Sequence, residues 1–103
     1  MGPEITITPE ADRELDHQAD YYISQRTPET AERWYDQSHA TFRFLATNPG
    51  FGTAWPTRRR DLAGVRTWLV DGFDQFIVFY RPVEGGIEIL HVLRGTRDLG
   101  RLL

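Results

Sequence analysis

The fold of this chain is decided by residues 65–98, which read VRTWLVDGFDQFIVFYRPVEGGIEILHVLRGTRD. Three runs rich in apolar, β-branched and aromatic residues begin at Val65, Gln75 and Ile87, and turns containing glycine separate them. This pattern is typical of a three-stranded antiparallel meander. The middle run is apolar at every position from Phe76 to Tyr80. We therefore expect that strand to be covered by protein on both faces.

Two helices are predicted upstream of the meander. The tripeptides Thr8-Pro9-Glu10 and Thr27-Pro28-Glu29 each offer a threonine N-cap, a proline at the first helical position and an acid near the positive end of the helix dipole. We place the helices at 9–25 and 28–47, and Asn48-Pro49-Gly50 ends the second. The short connection between them predicts an antiparallel hairpin with apolar stripes at spacings of three and four.

The remaining segments complete a β-α-α-β-β-β order. Residues Glu4 to Thr8 alternate in polarity and are predicted to form a first strand. Residues 51–64 are rich in Gly, Pro and Arg and are expected to be a loop, and residues 96–103 to form a final helical turn. The expected fold is a two-layer α+β domain spanning residues 1–103, with helices on one face of the sheet. The other face of the sheet, or one of its edges, is expected to remain for partners.

Composition narrows the possible functions. The chain has 103 residues and no cysteine, which excludes disulfides and thiolate zinc sites. His17, His39 and His91 are isolated in the sequence, so we expect no metal and no cofactor. No apolar stretch approaches the roughly 20 residues that span a bilayer, and no signal-peptide pattern opens the chain, so a cytoplasmic location is expected.

Charge is distributed unevenly along the chain. Residues 1–54 contain nine acids and four arginines, whereas residues 55–103 contain eight arginines and six acids. The net charge of −3 argues against a generic nucleic-acid binder but permits a local basic patch. All twelve basic residues are arginine. No lysine amine is therefore available for acid–base or Schiff-base chemistry.

Short motifs in order along almost the whole chain resemble the RelE/ParE superfamily of type II toxin–antitoxin toxins, and most closely its ParE branch. The motifs are Leu15-Asp16, Tyr22-Ile23, Leu45 with Pro49-Gly50, Leu62-Ala63-Gly64-Val65-Arg66, Phe79-Tyr80-Arg81, Ile87-Glu88-Ile89 and Val92-Leu93-Arg94-Gly95-Thr96-Arg97-Asp98. ParE-like chains often have a histidine at the position of Arg94, whereas here His91 lies three residues earlier.

The resemblance implies a bacterial toxin that a cognate antitoxin holds inactive in a hetero-oligomer. ParE-like members inhibit DNA gyrase by stabilising its cleaved-DNA complex. RelE-like members instead cut messenger RNA in the ribosomal A site. The two activities belong to different classes of protein, an inhibitor that acts by binding and an endoribonuclease.

Available acid–base groups separate these alternatives. RNA cleavage needs a group that takes a proton, groups that stabilise phosphoryl charge and a group that protonates the leaving oxygen. Arg66, Arg81, Arg94 and Arg97 supply only positive charge, and His91 is the single acid–base candidate in this part of the chain. We therefore predict no catalytic residue and place gyrase inhibition ahead of the ribosome-dependent endoribonuclease, which stays the alternative.

Candidate binding residues follow from charge and aromatic character. The candidates for contact with the target are arginines, namely Arg58, Arg59, Arg60, Arg66, Arg94, Arg97 and Arg101. The candidates for contact with the antitoxin are an acidic column in the first helix and three further residues, namely Asp12, Asp16, Asp20, Trp34, Trp55 and Arg81. Among the tryptophans, Trp55 is expected to be the exposed anchor because it lies in the Gly/Pro-rich loop. The competing interpretation is a solvated surface for the charged residues and a core position for the tryptophans.

Overall fold

The fold confirms the predicted order and adds one short strand. The computed structural model describes residues 2–95. Its elements are β1 (Glu4–Ile7), α1 (Pro9–Gln25), α2 (Pro28–Thr47), β2 (Thr53–Ala54), a 3₁₀ turn (Arg60–Leu62), β3 (Arg66–Val70), β4 (Phe73–Val83) and β5 (Gly86–Arg94). Both helices have the predicted bounds, and β2 lies inside the segment predicted to be a loop. The helical turn predicted for residues 96–103 lies outside the described residues.

Both helices begin where their caps dictate. The Thr8 hydroxyl accepts a hydrogen bond from the Ala11 amide at 3.2 Å, and the Thr27 hydroxyl accepts one from the Thr30 amide at 3.2 Å. Proline follows each cap, where its missing N–H has no partner to lose. Both interactions lie within the first turn of a helix, so neighbouring residues in the sequence determine where each helix begins.

The sheet has five strands in the order β1-β5-β4-β3-β2. The three long strands form the predicted antiparallel meander, with bulges between Leu69 and Val70 and between Phe79 and Tyr80. The first strand is parallel to the last, with Ile5 opposite Ile87. The helical hairpin therefore crosses the sheet from β1 at one edge to β2 at the other, and the meander then returns to place β5 beside β1.

The main core lies between the helical hairpin and one face of the sheet. Its largest members include Trp34, Phe42 and Tyr80, all with 0% exposure. The Trp34 indole N–H donates to the Leu15 carbonyl at 3.0 Å, so this ring also links the two helices. Burying side chains of this size stabilises the fold by about 1.5–3 kcal/mol each.

A second, smaller cluster covers part of the opposite face of the sheet. Leu62 and Val65 pack there on Phe79 and Leu93, and the Trp55 ring meets Phe79 edge-on at 5.2 Å. Coverage of the middle strand on both faces is therefore confirmed. The segment 55–65 folds back over part of the outer face, which was one of the two surfaces, a face or an edge of the sheet, expected to remain for partners.

Neither helix in residues 2–95 combines the length and the apolar character that crossing a lipid bilayer requires.

Candidate functional site

The acidic column of α1 is exposed, as its spacing predicts. Asp12, Asp16 and Asp20 all lie at the surface, and Asp16 accepts a 2.5 Å hydrogen bond from the Tyr35 hydroxyl of α2. Burial, this hydrogen bond and the charges of the three aspartates raise the pKa of Tyr35 to about 12. Asp16 therefore ties α1 to α2, while the carboxylates of Asp12 and Asp20 face solvent.

The tryptophan predictions need correction. Trp34 is fully buried in the main core, so it offers no surface to an antitoxin. Trp55 is partly buried in the second cluster, and its indole nitrogen is enclosed there. Trp68 is the tryptophan that lies on the surface, with 36% exposure. The Gly/Pro-rich surroundings of Trp55 misled the sequence interpretation, because that segment folds onto the sheet.

Two of the candidate arginines are committed to contacts within the fold. Arg81 donates to the backbone carbonyls of Asp61 and Ala63 at 3.0 and 3.4 Å, and to the Glu88 carboxylate at 3.0 Å. Arg66 donates to the Gly52 carbonyl at 2.6 Å. Both guanidinium groups hold the segment between α2 and β3 in place. The structure therefore gives Arg81 and Arg66 a structural role that the sequence did not predict, and their contacts with antitoxin and target stay predictions.

The three consecutive arginines lie on an exposed segment that ends in the 3₁₀ turn. Arg59 forms a bidentate pair with Asp61 at 2.6 and 3.1 Å, and this hydrogen bond lowers the pKa of the Asp61 carboxyl. Arg58 and Arg60 are exposed and form no ion pair with any of residues 2–95. Their guanidinium groups are therefore presented to solvent, where they can meet phosphate or carboxylate groups.

Arg94 lies in a groove between α1 and the end of β5. Arg13, His17 and Tyr21 of α1 line the same groove, and Tyr21 is 49% exposed. Sequence reasoning missed this grouping because it sought acid–base partners only near the C-terminus. The fold instead brings an imidazole and a phenol from α1 to the neighbourhood of Arg94. Two of the target candidates, Arg97 and Arg101, lie outside the described residues.

His91 is not isolated in the fold, which corrects the sequence interpretation. Its Nδ1 lies 3.0 Å from Oε2 of Glu14 and 3.9 Å from Oε1 of Glu10. The other oxygen of Glu14 accepts the Val92 amide at 2.8 Å. The strand β1 ends at Ile7, so Glu14 takes the place of a strand partner along this edge of β5.

Within residues 2–95, the side chains of Glu10, Glu14 and His91 could jointly hold a metal ion, because their ligand atoms lie within 4.8 Å of one another. One imidazole with two carboxylates is a donor set that divalent transition metals accept. The i, i+4 spacing of Glu10 and Glu14 was the available signal in the sequence, but nothing in it pointed to His91.

An exposed aromatic cluster at the edge of the sheet was also missed. Phe44 of α2 stacks on Trp68 of β3 at 5.7 Å, and the Phe51 ring lies 5.4 Å from Phe44. Phe44 and Phe51 are 38% and 60% exposed. Phe44 lies outside the buried stripe of α2, and Phe51 lies outside the strands. A large aromatic residue at such a position was the available signal in the sequence for an exposed cluster.

The comparisons with known proteins agree with this fold. A family described as "ParE toxin of type II toxin-antitoxin system, parDE" matches residues 5–99 of the chain. A solved structure titled "Chromosomal ParDE TA system from P. aeruginosa" is similar, with a TM-score of 0.73 and 24% identity over 89% of this chain and 95% of that one. No curated protein matches in sequence. Since the family match spans nearly the whole chain, the chain belongs to the ParE toxin family of type II toxin–antitoxin systems.

Proposed function

We propose that this chain is a toxin that inhibits DNA gyrase by stabilising the enzyme's cleaved-DNA complex, and that a cognate antitoxin neutralises it. The observation that carries the proposal is membership of the ParE family over residues 5–99. The exposed guanidinium groups of Arg58 and Arg60 fit a mode of action by binding, because they can pair with phosphates or carboxylates of a larger machine.

The test is a cleavage assay with purified gyrase and supercoiled plasmid. Addition of the toxin is expected to yield linear DNA with covalently attached protein after detergent treatment. A parallel reaction in a translation extract is expected to leave messenger RNA intact. Intact plasmid together with cut messenger RNA would overturn the proposal.

A pair of double variants asks whether the exposed arginines contact the target. Arg58→Ala with Arg60→Ala is expected to reduce cleaved DNA at least about tenfold, since each lost pair with a charged group is worth about 1.5–3 kcal/mol. The matched control is Arg26→Ala with Arg43→Ala, which removes the same charge from exposed positions near or on α2. Equal losses of cleaved DNA in both double variants would show that gyrase inhibition depends on the net charge of the toxin and not on Arg58 and Arg60.

One observation favours the endoribonuclease as a second candidate. His17 and Tyr21 line the same groove as Arg94, so an imidazole, a phenol and a guanidinium border one groove, together with the carboxylates of Glu10 and Glu14. Such a set can supply proton transfer and charge stabilisation. Under this alternative, His17→Ala with Tyr21→Phe abolishes RNA cleavage; under gyrase inhibition, the same variant leaves transcripts uncut, as the parent does.

We further propose that the exposed carboxylates of α1 contact the antitoxin. Asp12 and Asp20 face solvent on one side of the helical hairpin, where arginine or lysine side chains of a partner can reach them. Growth rescue by the neighbouring reading frame tests the existence of the antitoxin. Asp12→Asn with Asp20→Asn tests the surface and is expected to weaken that complex, with Asp16 left intact because it binds Tyr35.

A further inference from the structure

Glu10, Glu14 and His91 bring three metal-binding groups from two elements to one place. Glu10 and Glu14 lie four residues apart in α1, so they share one face of the helix. His91 lies in β5, on which α1 packs. As a result, one imidazole nitrogen and two carboxylate oxygens lie within 4.8 Å of one another.

The distances within this group suit a small divalent cation. Nδ1 of His91 lies 3.0 Å from Oε2 of Glu14 and 3.9 Å from Oε1 of Glu10. Zinc binds histidine nitrogen and carboxylate oxygen at about 2.0–2.2 Å, so two such ligands at a tetrahedral angle lie roughly 3.4 Å apart. The two separations lie on either side of this value, and side-chain movements of about 0.5 Å bring both to it.

Glu14 is held in position by the backbone of β5. Its Oε1 accepts the Val92 amide at 2.8 Å, and its Oε2 is directed at the imidazole. The side chains of Glu14 and His91 are only 13% and 14% exposed. Hydrogen bonds of this kind commonly orient carboxylates that bind metals. Two of the three ligands are therefore preformed, and the more exposed Glu10 closes the group from the solvent side.

A cavity of about 410 Å³ beside the group leaves room for further ligands. Glu10 and His91 line it, together with Asp61 and Leu62 of the 3₁₀ turn. A water molecule occupies about 30 Å³, so the cavity admits water next to a bound ion. Three protein ligands and one water form the usual open zinc site.

The charges around the group are mixed. Arg13 lines the cavity and the neighbouring groove, Arg94 lines the groove, and Asp61 lines the cavity. Two carboxylates at i, i+4 oppose each other, and a divalent cation between them replaces this repulsion with attraction. The guanidinium groups act in the opposite direction. We therefore expect zinc to bind more weakly than in closed structural sites, with a dissociation constant in the micromolar range.

We propose that Glu10, Glu14 and His91 form a zinc site that clasps the first half of α1 to β5. The ligand atoms are one carboxylate oxygen of each glutamate and Nδ1 of the imidazole, and water completes the coordination. The imidazole favours zinc over magnesium and calcium, whose preferred ligands are oxygens. Zinc binding here is independent of which target the toxin inhibits, because the ligands and the effect on stability lie within this chain.

Calorimetric titration of the full-length protein with zinc chloride, after metal has been stripped by a chelator and the chelator removed, tests the site. We expect one zinc ion per chain and no binding of magnesium chloride at the same concentrations. Glu10→Gln is expected to weaken zinc binding at least about tenfold, because it removes a charged ligand. The matched control is Glu29→Gln, which changes the acid at the equivalent position in the first turn of α2 and should bind like the parent.

Two further variants separate this site from zinc held by an exposed histidine. His91→Gln is expected to lose zinc binding, whereas His17→Ala, an exposed position on α1, should keep it. Zinc at about 100 times its dissociation constant is expected to raise the midpoint of thermal unfolding of the parent by roughly 10–20 °C. The result for Glu10→Gln does not depend on the folding of His91→Gln, because Glu10 is exposed. Absence of zinc binding in the parent, parent-like binding in Glu10→Gln, or loss of binding in His17→Ala would each overturn the site.

Discussion

At the scale of single residues, Tyr80 illustrates how one buried side chain organises a functional segment. Its hydroxyl donates to the Pro49 carbonyl at 2.6 Å and accepts the Gly52 amide at 2.9 Å, and burial raises its pKa. A Cβ atom at Gly52 would lie 2.5 Å from that hydroxyl oxygen, so only glycine fits. The phenol thereby fixes the chain between α2 and β2, next to the aromatic cluster.

Removing this hydroxyl should destabilise the fold. Tyr80→Phe is expected to lower the free energy of unfolding by about 1–3 kcal/mol, because a buried amide and a buried carbonyl lose their partner. Urea unfolding followed by tryptophan fluorescence measures the change. Tyr21→Phe, at an exposed position, is the control and should be nearly neutral. Equal effects of the two changes would contradict the role assigned to Tyr80.

The raised pKa of Tyr35 predicts a loss of stability at alkaline pH. The neutral phenol is favoured in the folded state, so its contribution is complete below the unfolded pKa of 10.0 and is lost as pH rises from there through about 12. We expect this contribution to be on the order of 1 kcal/mol, after discounting for the solvent exposure of the pair. Urea midpoints at pH 8 and pH 11 should differ less in Tyr35→Phe than in the parent. If the difference between the two midpoints is the same in Tyr35→Phe as in the parent, other groups, such as Tyr80, account for the loss of stability at alkaline pH.

At the scale of elements, the two threonine caps differ in what they hold. Thr27 bonds only near its own helix start, with the Thr30 amide and hydroxyl. Thr8 caps α1 and also donates to the Leu90 carbonyl of β5 at 3.2 Å. The first cap therefore joins the helix layer to the sheet, whereas the second acts locally.

This difference predicts unequal costs of alanine substitution. Thr27→Ala should cost about 1 kcal/mol, the usual value of an N-cap. Thr8→Ala should cost about 1 kcal/mol more, since the bond to β5 is lost as well. Chemical denaturation of both variants, with Thr27→Ser as a conservative control, measures the difference. A larger loss at Thr27 than at Thr8 would contradict the assigned link to the sheet.

The elements also explain which features the sequence could reveal. Helix starts and meander strands depend on neighbours within a few residues, so the caps at Thr8 and Thr27 and the turn glycines predicted them correctly. The parallel pairing of Ile5 with Ile87 depends on contacts far apart in sequence, and no local pattern encodes it. The same holds for the packing of Trp55 on Phe79, which reversed the expected exposure of Trp55 and Trp68.

At the scale of the whole molecule, the candidate residues separate into distinct surfaces. Arg58 and Arg60 are exposed on one segment, and Arg94 shares a groove with His17. The aromatic cluster lies at the β3 side of the sheet. The sequence predicted exposed arginines, but it could not separate the exposed Arg58 and Arg60 from Arg66 and Arg81. The hydrogen bonds of Arg66 and Arg81 depend on which backbone carbonyls the fold brings near them.

We propose that this toxin acts by binding gyrase rather than by chemistry of its own. A titration of toxin against a fixed amount of gyrase and supercoiled plasmid in a translation extract tests it most directly, with cleaved DNA and translated transcript quantified in the same reactions. We expect cleaved DNA to rise to a plateau set by the amount of gyrase while the transcript stays intact. Progressive cutting of the transcript at a toxin concentration far below that of gyrase, with the plasmid unbroken, would contradict gyrase inhibition.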